Sequence, residues 1–516
     1  MDLPFKNFKI TPIKKTTFIV SLILLITKTI NFFIDLLVAQ YFGVNQYVDI
    51  YLYALMVPLL VNAVLSNSFT QYFIPNYLRI KSQQQAEYKQ DYLFVILICY
   101  TALVLLVSLL SCGTLPYLLA QINPALFNSD DLIQTYFRFS RWIGVYFFFF
   151  TLSNFFVSIL QAEHQYKDSL YPQIFIPFIG VISILTLHQY LRIFSIIYGF
   201  VLGAIISFLL IYFKTAQKKL FSFKRIRFNF HILKTGTDFH QFFYLFIALI
   251  FPTFVSFIDK QAATYLGPGK LSALSYGQSI PNALSSILAY SLGIAVFSYF
   301  SEWTVKNETN KLVHAVRKAI YFLVIIIIPF CYYVFLFSSD IIGIFFERGK
   351  FTIEETSSVS PILQFYIFSI FFHAATMIAT RIVSAIHKNK FFIILYPSIF
   401  VIKLLFNTIL VRYFDILGLP LSTLAMYFIY CVWIYCYLNN KNIQIFNIQY
   451  FWTIIKSILY LLILLIIFYR IYSFINFLNL NYFGSLFYGS SLFIIIYLIF
   501  LRILYKKRRG LITSIE

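Results

Sequence analysis

The sequence predicts an all-α protein that crosses a membrane many times, and three observations support this fold class. Only 11% of the 516 residues are charged and 60% are hydrophobic, whereas soluble proteins carry about 25% charged residues. The apolar residues fall into runs that are long enough to cross a bilayer as helices. The basic residues collect in alternate loops between those runs. The composition therefore excludes an ordinary soluble domain.

Fourteen runs are long and apolar enough to be spanning helices, which need about 20 residues each. Their approximate ranges are 17–42, 49–75, 92–115, 134–161, 170–189, 193–213, 240–265, 272–300, 317–338, 356–386, 391–411, 416–438, 451–473 and 484–505. The first run lacks a clear small-residue cleavage site, so we interpret it as a spanning helix and not as a removed signal peptide.

The distribution of basic residues predicts that both termini are cytoplasmic. Loops on the side of the termini hold about 26 Lys and Arg, against about six on the other side, a bias that sets orientation in membrane proteins. The basic ends consist of Lys6, Lys9, Lys14 and Lys15, and of Lys506, Lys507, Arg508 and Arg509. The net charge of +21 is thus explained by topology and by contact with anionic lipid, and no nucleic-acid partner is expected.

A repeat divides the chain into two lobes. The stretch FIDLLVAQYFG at 33–43 matches FIDKQAATYLG at 257–267 at six positions, which include Asp35 and Asp259. Each stretch belongs to a block of six spans, so the two blocks have the same orientation and form a parallel pseudo-repeat. The predicted domains are an N-lobe at 1–213, a basic cytoplasmic linker at 214–239, a C-lobe at 240–440, and two last helices with a basic tail at 441–516.

Polar side chains inside the spans predict a cavity that binds a polar substrate. Ionisable residues are costly in a membrane and usually face a cavity or a partner. Lys28, Asn31 and Asp35 recur on one face of the first helix. The complete set of predicted cavity residues is Lys28, Asn31, Asp35, Asp49, Asn62, Asp259, Lys260, Gln278, Ser279 and Asn282. The alternative is that charges such as Asp259 and Lys260 only pair to hold helices together.

Other polar residues give weaker signals. Lys403 and Asn407 share a face of the eleventh span and could also line a cavity. His373 in the tenth span suggests a membrane-embedded transferase, but a hydrogen-bonded core histidine explains it more simply. The sequence contains no P-loop, no G-x-S-x-G, no H-E-x-x-H and no paired-cysteine site. We therefore expect neither an enzyme nor a cofactor or metal, and transport would draw on an ion gradient, the membrane potential or the substrate's own gradient.

Several motifs resemble the MurJ (MviN) family of bacterial lipid II flippases, in the wider multidrug/oligosaccharidyl-lipid/polysaccharide exporter superfamily. The resemblance covers roughly residues 17–440 and rests on DLLVAQYFGVNQYVDIYLYALMVPLL, SNSFTQYFIPNY, ATYLGPGKLSALSYGQSIPNALSSILAYSLGIAVFSYFS and FFERGKFTIEET. The last motif also forms a capping box, Thr352 with Glu355, that predicts a helix start.

The resemblance implies a bacterial inner-membrane protein that flips an undecaprenyl-diphosphate-linked saccharide, lipid II above all, by alternating access. It implies that the last two helices help to form a groove for the lipid tail. Lys28 would contact the phosphate or sugar of the head group, Asp35 and Asp259 would orient basic partners or bind a coupling cation, and Asp49 would gate or hydrogen-bond at the outer rim.

The chain departs from the family at its cationic positions. Lys28 matches the first of four, but the other three correspond to Ile34, Asn62 and Ser279. This departure keeps two alternatives open: an O-antigen or exopolysaccharide lipid flippase, and a cation-coupled drug antiporter. A membrane scaffold without transport activity would also tolerate the loss of these cationic positions.

Overall fold

The computed structural model describes residues 12–83, 86–221, 239–306, 308–386, 388, 390–441, 443–445, 448–477 and 481–508. Most of the predicted basic linker, residues 222–238, lies outside this description, as do Lys6, Lys9 and Arg509. The described residues are mostly helical and include no strand.

In the part of the chain that the structure describes, fourteen long helices, numbered in chain order, overlap the fourteen predicted spans, and their ends differ from the predicted ones by up to eight residues. They are α1 Pro12–Phe42, α2 Gln46–Gln83, α3 Ala86–Cys112, α4 Asp130–Ala162, α5 Tyr171–Leu191, α6 Phe194–Gln217, α7 Phe239–Tyr265, α8 Lys270–Val305, α9 Thr309–Leu336, α10 Ile353–Ala385, α11 Phe391–Phe414, α12 Gly418–Asn439, α13 Ile448–Phe477 and α14 Tyr482–Arg508. Within the described residues, 11 helical stretches are long and apolar enough to cross a membrane, with α11 and α12 counted as one. The all-α membrane fold is confirmed, and the number of fourteen crossings stays a prediction.

Helix starts and irregularities follow from single residues. The capping box predicted at Thr352 and Glu355 is present at the start of α10, so this prediction is confirmed. Pro58 and Pro281 lie inside α2 and α8. Helix α9 contains a π-helical turn at Leu323–Ile327 just before Pro329, where proline removes one backbone donor from the helix ladder.

The described residues divide into two compact units. The first comprises Met1–Ser272 and Phe392–Leu404, and the second Ala273–Phe391 and Leu405–Glu516. Helix α7 belongs to the first unit because it packs on α2. The predicted lobe boundaries describe the sequence repeat, and they stay a prediction.

Aromatic rings fill the core of the first unit. Phe69 and Phe73 on α2 contact Phe155 on α4, with ring centroids 6.0 and 5.8 Å apart. Tyr100 on α3 lies 4.1 Å from the Phe69 ring. Aromatic pairs of this kind add to the stabilisation from buried area. They hold α2, α3 and α4 together, which positions the polar residues of α2.

Helices α5 and α6 approach each other closely because small residues line their contact. A side chain on Gly199 would lie 2.9 Å from the Cα of Gly180, and one on Gly203 would lie 2.8 Å from the Cα of Ile176. Such small-residue contacts let membrane helices pack backbone to backbone.

In the second unit, polar contacts attach the last two helices to the rest. Arg317 on α9 donates from Nε to the carbonyl of Ile445 at 2.7 Å and from a terminal nitrogen to that of Gln444 at 3.0 Å, directly before α13. The phenol of Tyr482, at the start of α14, donates to Glu347 at 2.9 Å. Each of the two helices is thereby fixed near its first turn.

Candidate functional site

Two carboxylates of the first unit, Asp35 and Asp259, correspond in the sequence repeat, and each has a lysine partner. Asp35 on α1 interacts electrostatically with Lys260 on α7. Asp259 on α7 forms an ion pair with Lys403 on α11, with 2.7 Å between Oδ1 and Nζ, and both side chains are buried. The neighbours Asp259 and Lys260 thus interact with different helices, because consecutive side chains on a helix point about 100° apart.

Lys28 on α1 differs in its contacts from Lys260 and Lys403. It is half-buried, and in the described part of the chain it makes no hydrogen bond or ion pair. Lys260 and Lys403 each interact with a carboxylate, whereas Lys28 has no ionic partner among the described residues. Asn31, one turn further along α1, is exposed.

Asp49 caps a helix that is far away in the sequence. Its side chain is fully buried, and its two carboxylate oxygens accept the backbone N–H groups of Gly269 and Ser272, the latter at 2.7 Å. These residues form the start of α8, where backbone N–H groups lack partners inside the helix. The carboxylate also complements the positive end of the helix dipole.

Asn62 belongs to a chain of hydrogen bonds between α2 and α4. Its amide oxygen accepts from Thr151 at 2.8 Å and from Ser66 at 3.1 Å. Asn154 on α4 donates to Ser66 at 2.8 Å. The oxygen of Asn62 is thus occupied in helix packing, and its amide nitrogen is the group left for other contacts.

The predicted residues of α8 have three different environments in the second unit. Gln278 donates to the phenol of Tyr366 on α10. Ser279 is buried and donates to the carbonyl of Tyr276 at 2.7 Å, in its own helix. Asn282 is exposed. The three side chains therefore differ in their partners and in their exposure.

Two residues outside the predicted set also have clear partners. Asn407 on α11 accepts the hydroxyl of Ser422 on α12. His373 on α10 lies against Tyr427 on α12, with ring centroids 4.9 Å apart. In the described ranges, no group of three His, Cys, Asp or Glu side chains could hold a metal ion.

Sequence reasoning did not foresee the pairing of Asp259 with Lys403. The signal is present in the sequence, because Lys403 is an ionisable residue inside an apolar span. Its partner lies 144 positions away in the chain, and nothing in the local pattern of α11 identifies it.

An apolar cavity of about 410 Å³ lies in the second unit, between α9, α10, α12 and α13. Its lining includes Val324, Phe371, Tyr435, Ile454 and Ile458. The size falls within the range of small-molecule sites, and the lining suits an aliphatic ligand.

The chain is similar to known membrane transporters over most of its length. A family model described as lipid II flippase MurJ matches residues 38–496. A Borreliella burgdorferi protein named "Probable lipid II flippase MurJ" is 22% identical over 443 residues, which cover 84% of each chain. The solved structure of lipid II flippase MurJ in an inward closed conformation has a TM-score of 0.79 at 22% identity, and it covers 95% of this chain and 99% of that one. An inward-facing multidrug resistance MATE transporter of the MOP superfamily has a TM-score of 0.66 at 12% identity, covering 83% and 98%.

Proposed function

Because the chain belongs to the lipid II flippase MurJ family, we propose that it moves lipid II from the inner to the outer leaflet of a bacterial cytoplasmic membrane. The sugar and peptide head group, joined to its lipid by a diphosphate, would cross along the polar helix faces by alternating access. The lipid tail would stay in the bilayer. This activity serves cell-wall biogenesis and makes or breaks no covalent bond, so the protein acts as a transporter.

The observation that carries this proposal is the half-buried position of Lys28 on α1, where its side chain has no ionic partner among the described residues. An anionic diphosphate needs a cationic contact, and charge-assisted hydrogen bonds to phosphate are stronger than hydrogen bonds between neutral groups. The other lysines of the set, Lys260 and Lys403, interact with Asp35 and Asp259. Lys28 is the member whose ammonium is left to bind the diphosphate. A lysine binds phosphate as a mobile point charge, without the two-pronged geometry of arginine.

Neutral side chains would contact the rest of the head group. Asn31 and Asn282 are exposed, and the amide nitrogen of Asn62 is not used in the α2–α4 hydrogen bonds. Amides donate and accept hydrogen bonds, as sugar hydroxyls and peptide groups require. We propose Asn31 and Asn62 of the first unit as head-group contacts, and Asn282 as an exposed polar group of the second unit. Gln278 and Ser279, which already bond to protein groups, would shape the surroundings.

Asp49 would hold the outer side closed during the inward-facing part of the cycle. Its hydrogen bonds to Gly269 and Ser272 join the start of α2 to the start of α8. Opening to the outside would break these bonds and would need another partner, such as water, for the carboxylate.

The lipid tail would find an apolar environment beside α13. The cavity of about 410 Å³ is lined by Ile454 and Ile458 of this helix. Burial of such apolar surface against a prenyl chain is favourable in free energy. With the basic linker and the basic termini on the cytoplasmic side, the head group would enter from the side on which lipid II is made.

The two alternatives make different demands on the same residues. A drug antiporter coupled to protons or sodium would use Asp35 or Asp259 as its ion site, but both already have lysine partners. A flippase for O-antigen or exopolysaccharide lipids carries a related diphosphate, and the neutral Ile34, Asn62 and Ser279 suit a less charged head group. Complementation of a lipid II flippase separates this alternative from lipid II transport.

The test is complementation in a bacterium whose own lipid II flippase can be depleted. The chain is expressed at a verified membrane level, and lipid II on the outer leaflet is measured. We expect export to be restored by the wild-type chain and reduced at least tenfold by Lys28→Ala, since a charge-assisted bond is worth about 1.5–3 kcal/mol. Lys28→Arg should retain export.

Thr29→Ala is the matched control, because Thr29 is an exposed neighbour whose hydroxyl bonds only within its helix, to the carbonyl of Leu25. Absence of rescue at normal abundance would refute lipid II as the substrate and favour another lipid-linked saccharide. Rescue that survives Lys28→Ala would remove Lys28 from the mechanism.

A further inference from the structure

The ion pair between Asp259 and Lys403 is enclosed by protein on all sides. Lys403 has 0% and Asp259 6% of its side-chain surface exposed, and 2.7 Å separates the charged atoms. One to two turns away on α7, Phe251 and Phe254 contact the ring of Phe400 on α11, at 5.8 and 6.4 Å. These rings hold the two helices together beside the pair.

A carboxylate in such surroundings needs a positive partner. The cost of burying a single charge is large, and it is offset only by a close counter-charge with good geometry. In a membrane transporter that partner can be a proton, a metal cation from solution or a side chain. Here the lysine is tethered by its own helix, so its local concentration exceeds that of any dissolved ion.

We propose that Lys403 is a built-in counter-cation of Asp259, which occupies the position that a free monovalent cation would otherwise take. The carboxylate then exchanges no cation with the solution during the transport cycle. Removal of the amine should convert Asp259 into a sodium-responsive site. This inference deepens the proposed function by assigning its ion dependence, and it rests on that function only for the link to transport.

The corresponding carboxylate of the repeat supports the same interpretation. Asp35 interacts with Lys260, which lies directly after Asp259 on α7. Both repeat carboxylates therefore interact with a lysine of this chain. Asp259 is the carboxylate at which the ion dependence is tested, because its Oδ1 is in direct contact with Nζ of Lys403.

The test measures thermal unfolding of the purified full-length protein in sodium chloride, potassium chloride and choline chloride at equal ionic strength. The wild-type protein should have the same Tm in all three salts. Lys403→Met, a neutral side chain of similar length, should lower the Tm by about 5 °C in choline chloride, because it removes the ammonium partner of a buried carboxylate. Sodium should restore a clear part of that loss.

Two further variants serve as controls. Lys403→Arg keeps a positive charge and should show no preference among the salts. Lys403→Met combined with Asp259→Asn has neither charge, so it should regain stability in choline chloride and lose the response to sodium.

Two results would overturn the proposal. One is a sodium-specific rise in the Tm of the wild-type protein that disappears in Asp259→Asn. The other is a Lys403→Met variant whose Tm is the same in all three salts. If Lys403→Met cannot be purified, the wild-type titration against Asp259→Asn decides. None of these measurements requires lipid II, so failure of this inference is distinct from failure of the proposed transport function.

Discussion

The carboxylate of Asp49 in the first turn of α2 accepts the backbone N–H of Ser272 in the first turn of α8, at 2.7 Å. Its other oxygen accepts the N–H of Gly269. Gly269 has a φ of +78°, and a side chain there would lie 3.2 Å from Val44. A residue with a Cβ would be strained in this backbone conformation, so glycine is what lets the chain present its N–H groups to Asp49.

Loss of this cap should destabilise the protein in a graded way. Asp49→Ala should lower the free energy of unfolding by about 1–3 kcal/mol, because buried N–H groups lose their acceptor. Asp49→Asn keeps one acceptor oxygen and should lose less. Thermal unfolding of the purified variants measures both effects. Wild-type stability in both variants would show that the cap contributes nothing.

The close contact between α5 and α6 should not tolerate a larger residue. In Gly203→Val the new Cβ would meet the Ile176 backbone at 2.8 Å, and backbone atoms cannot rotate away. We expect a loss of about 1–3 kcal/mol, detected as reduced membrane abundance and a lower Tm. Leu202→Val is the matched control, since Leu202 is 50% exposed on the apolar surface. Equal behaviour of the two variants would contradict the prediction.

Glu163 should make the stability of the first unit depend on pH. Burial alone raises the pKa of Glu163, but the hydrogen bonds from Lys81 and Tyr77 and the charges of Lys89 and Lys81 outweigh it and keep this pKa below its ordinary value. The N–O distances are 2.6 Å to Lys81 and 3.4 Å to Lys89. A lowered folded-state pKa stabilises the protein above the ordinary value of about 4.3, and the stabilisation disappears as the pH falls through the folded-state pKa.

Glu163→Gln checks this dependence. Its Tm should lie below that of the wild type at neutral pH, and the gap should close as the pH falls below about 4. A gap of constant size across this range would mean that the charge of Glu163 plays no part.

Arg317 should be required to dock the start of α13. Its guanidinium reaches the carbonyls of Gln444 and Ile445 at the same time, which the single ammonium of lysine reproduces poorly. Arg317→Lys should cost about 1–2 kcal/mol and speed proteolysis of the segment before α13. Lys318→Gln, a change at the exposed neighbour, should leave cleavage unchanged. Equal protease resistance of all three proteins would refute this role.

Much of the fold was predictable because its determinants are local. A bilayer of fixed thickness demands about 20 apolar residues per helix, so runs such as 193–213 could be recognised in the sequence and coincide with α6. The capping box at Thr352 and Glu355 joins residues three positions apart. The repeat around Asp35 and Asp259 likewise needs only the order of residues.

The partners of the buried polar groups were decided by the tertiary structure. Helix periodicity identified Asp259, Lys260 and Lys403 as polar residues in apolar spans, but it could not say that Asp259 pairs with Lys403. The sequence also placed Asp49 at a helix start without indicating that it caps α8. Periodicity specifies the direction in which a side chain points around the axis of its helix. The partner of that side chain depends on which helices pack together and in what register. By itself the sequence therefore determined the helices and their polar positions, and packing between helices decided which charges are neutralised.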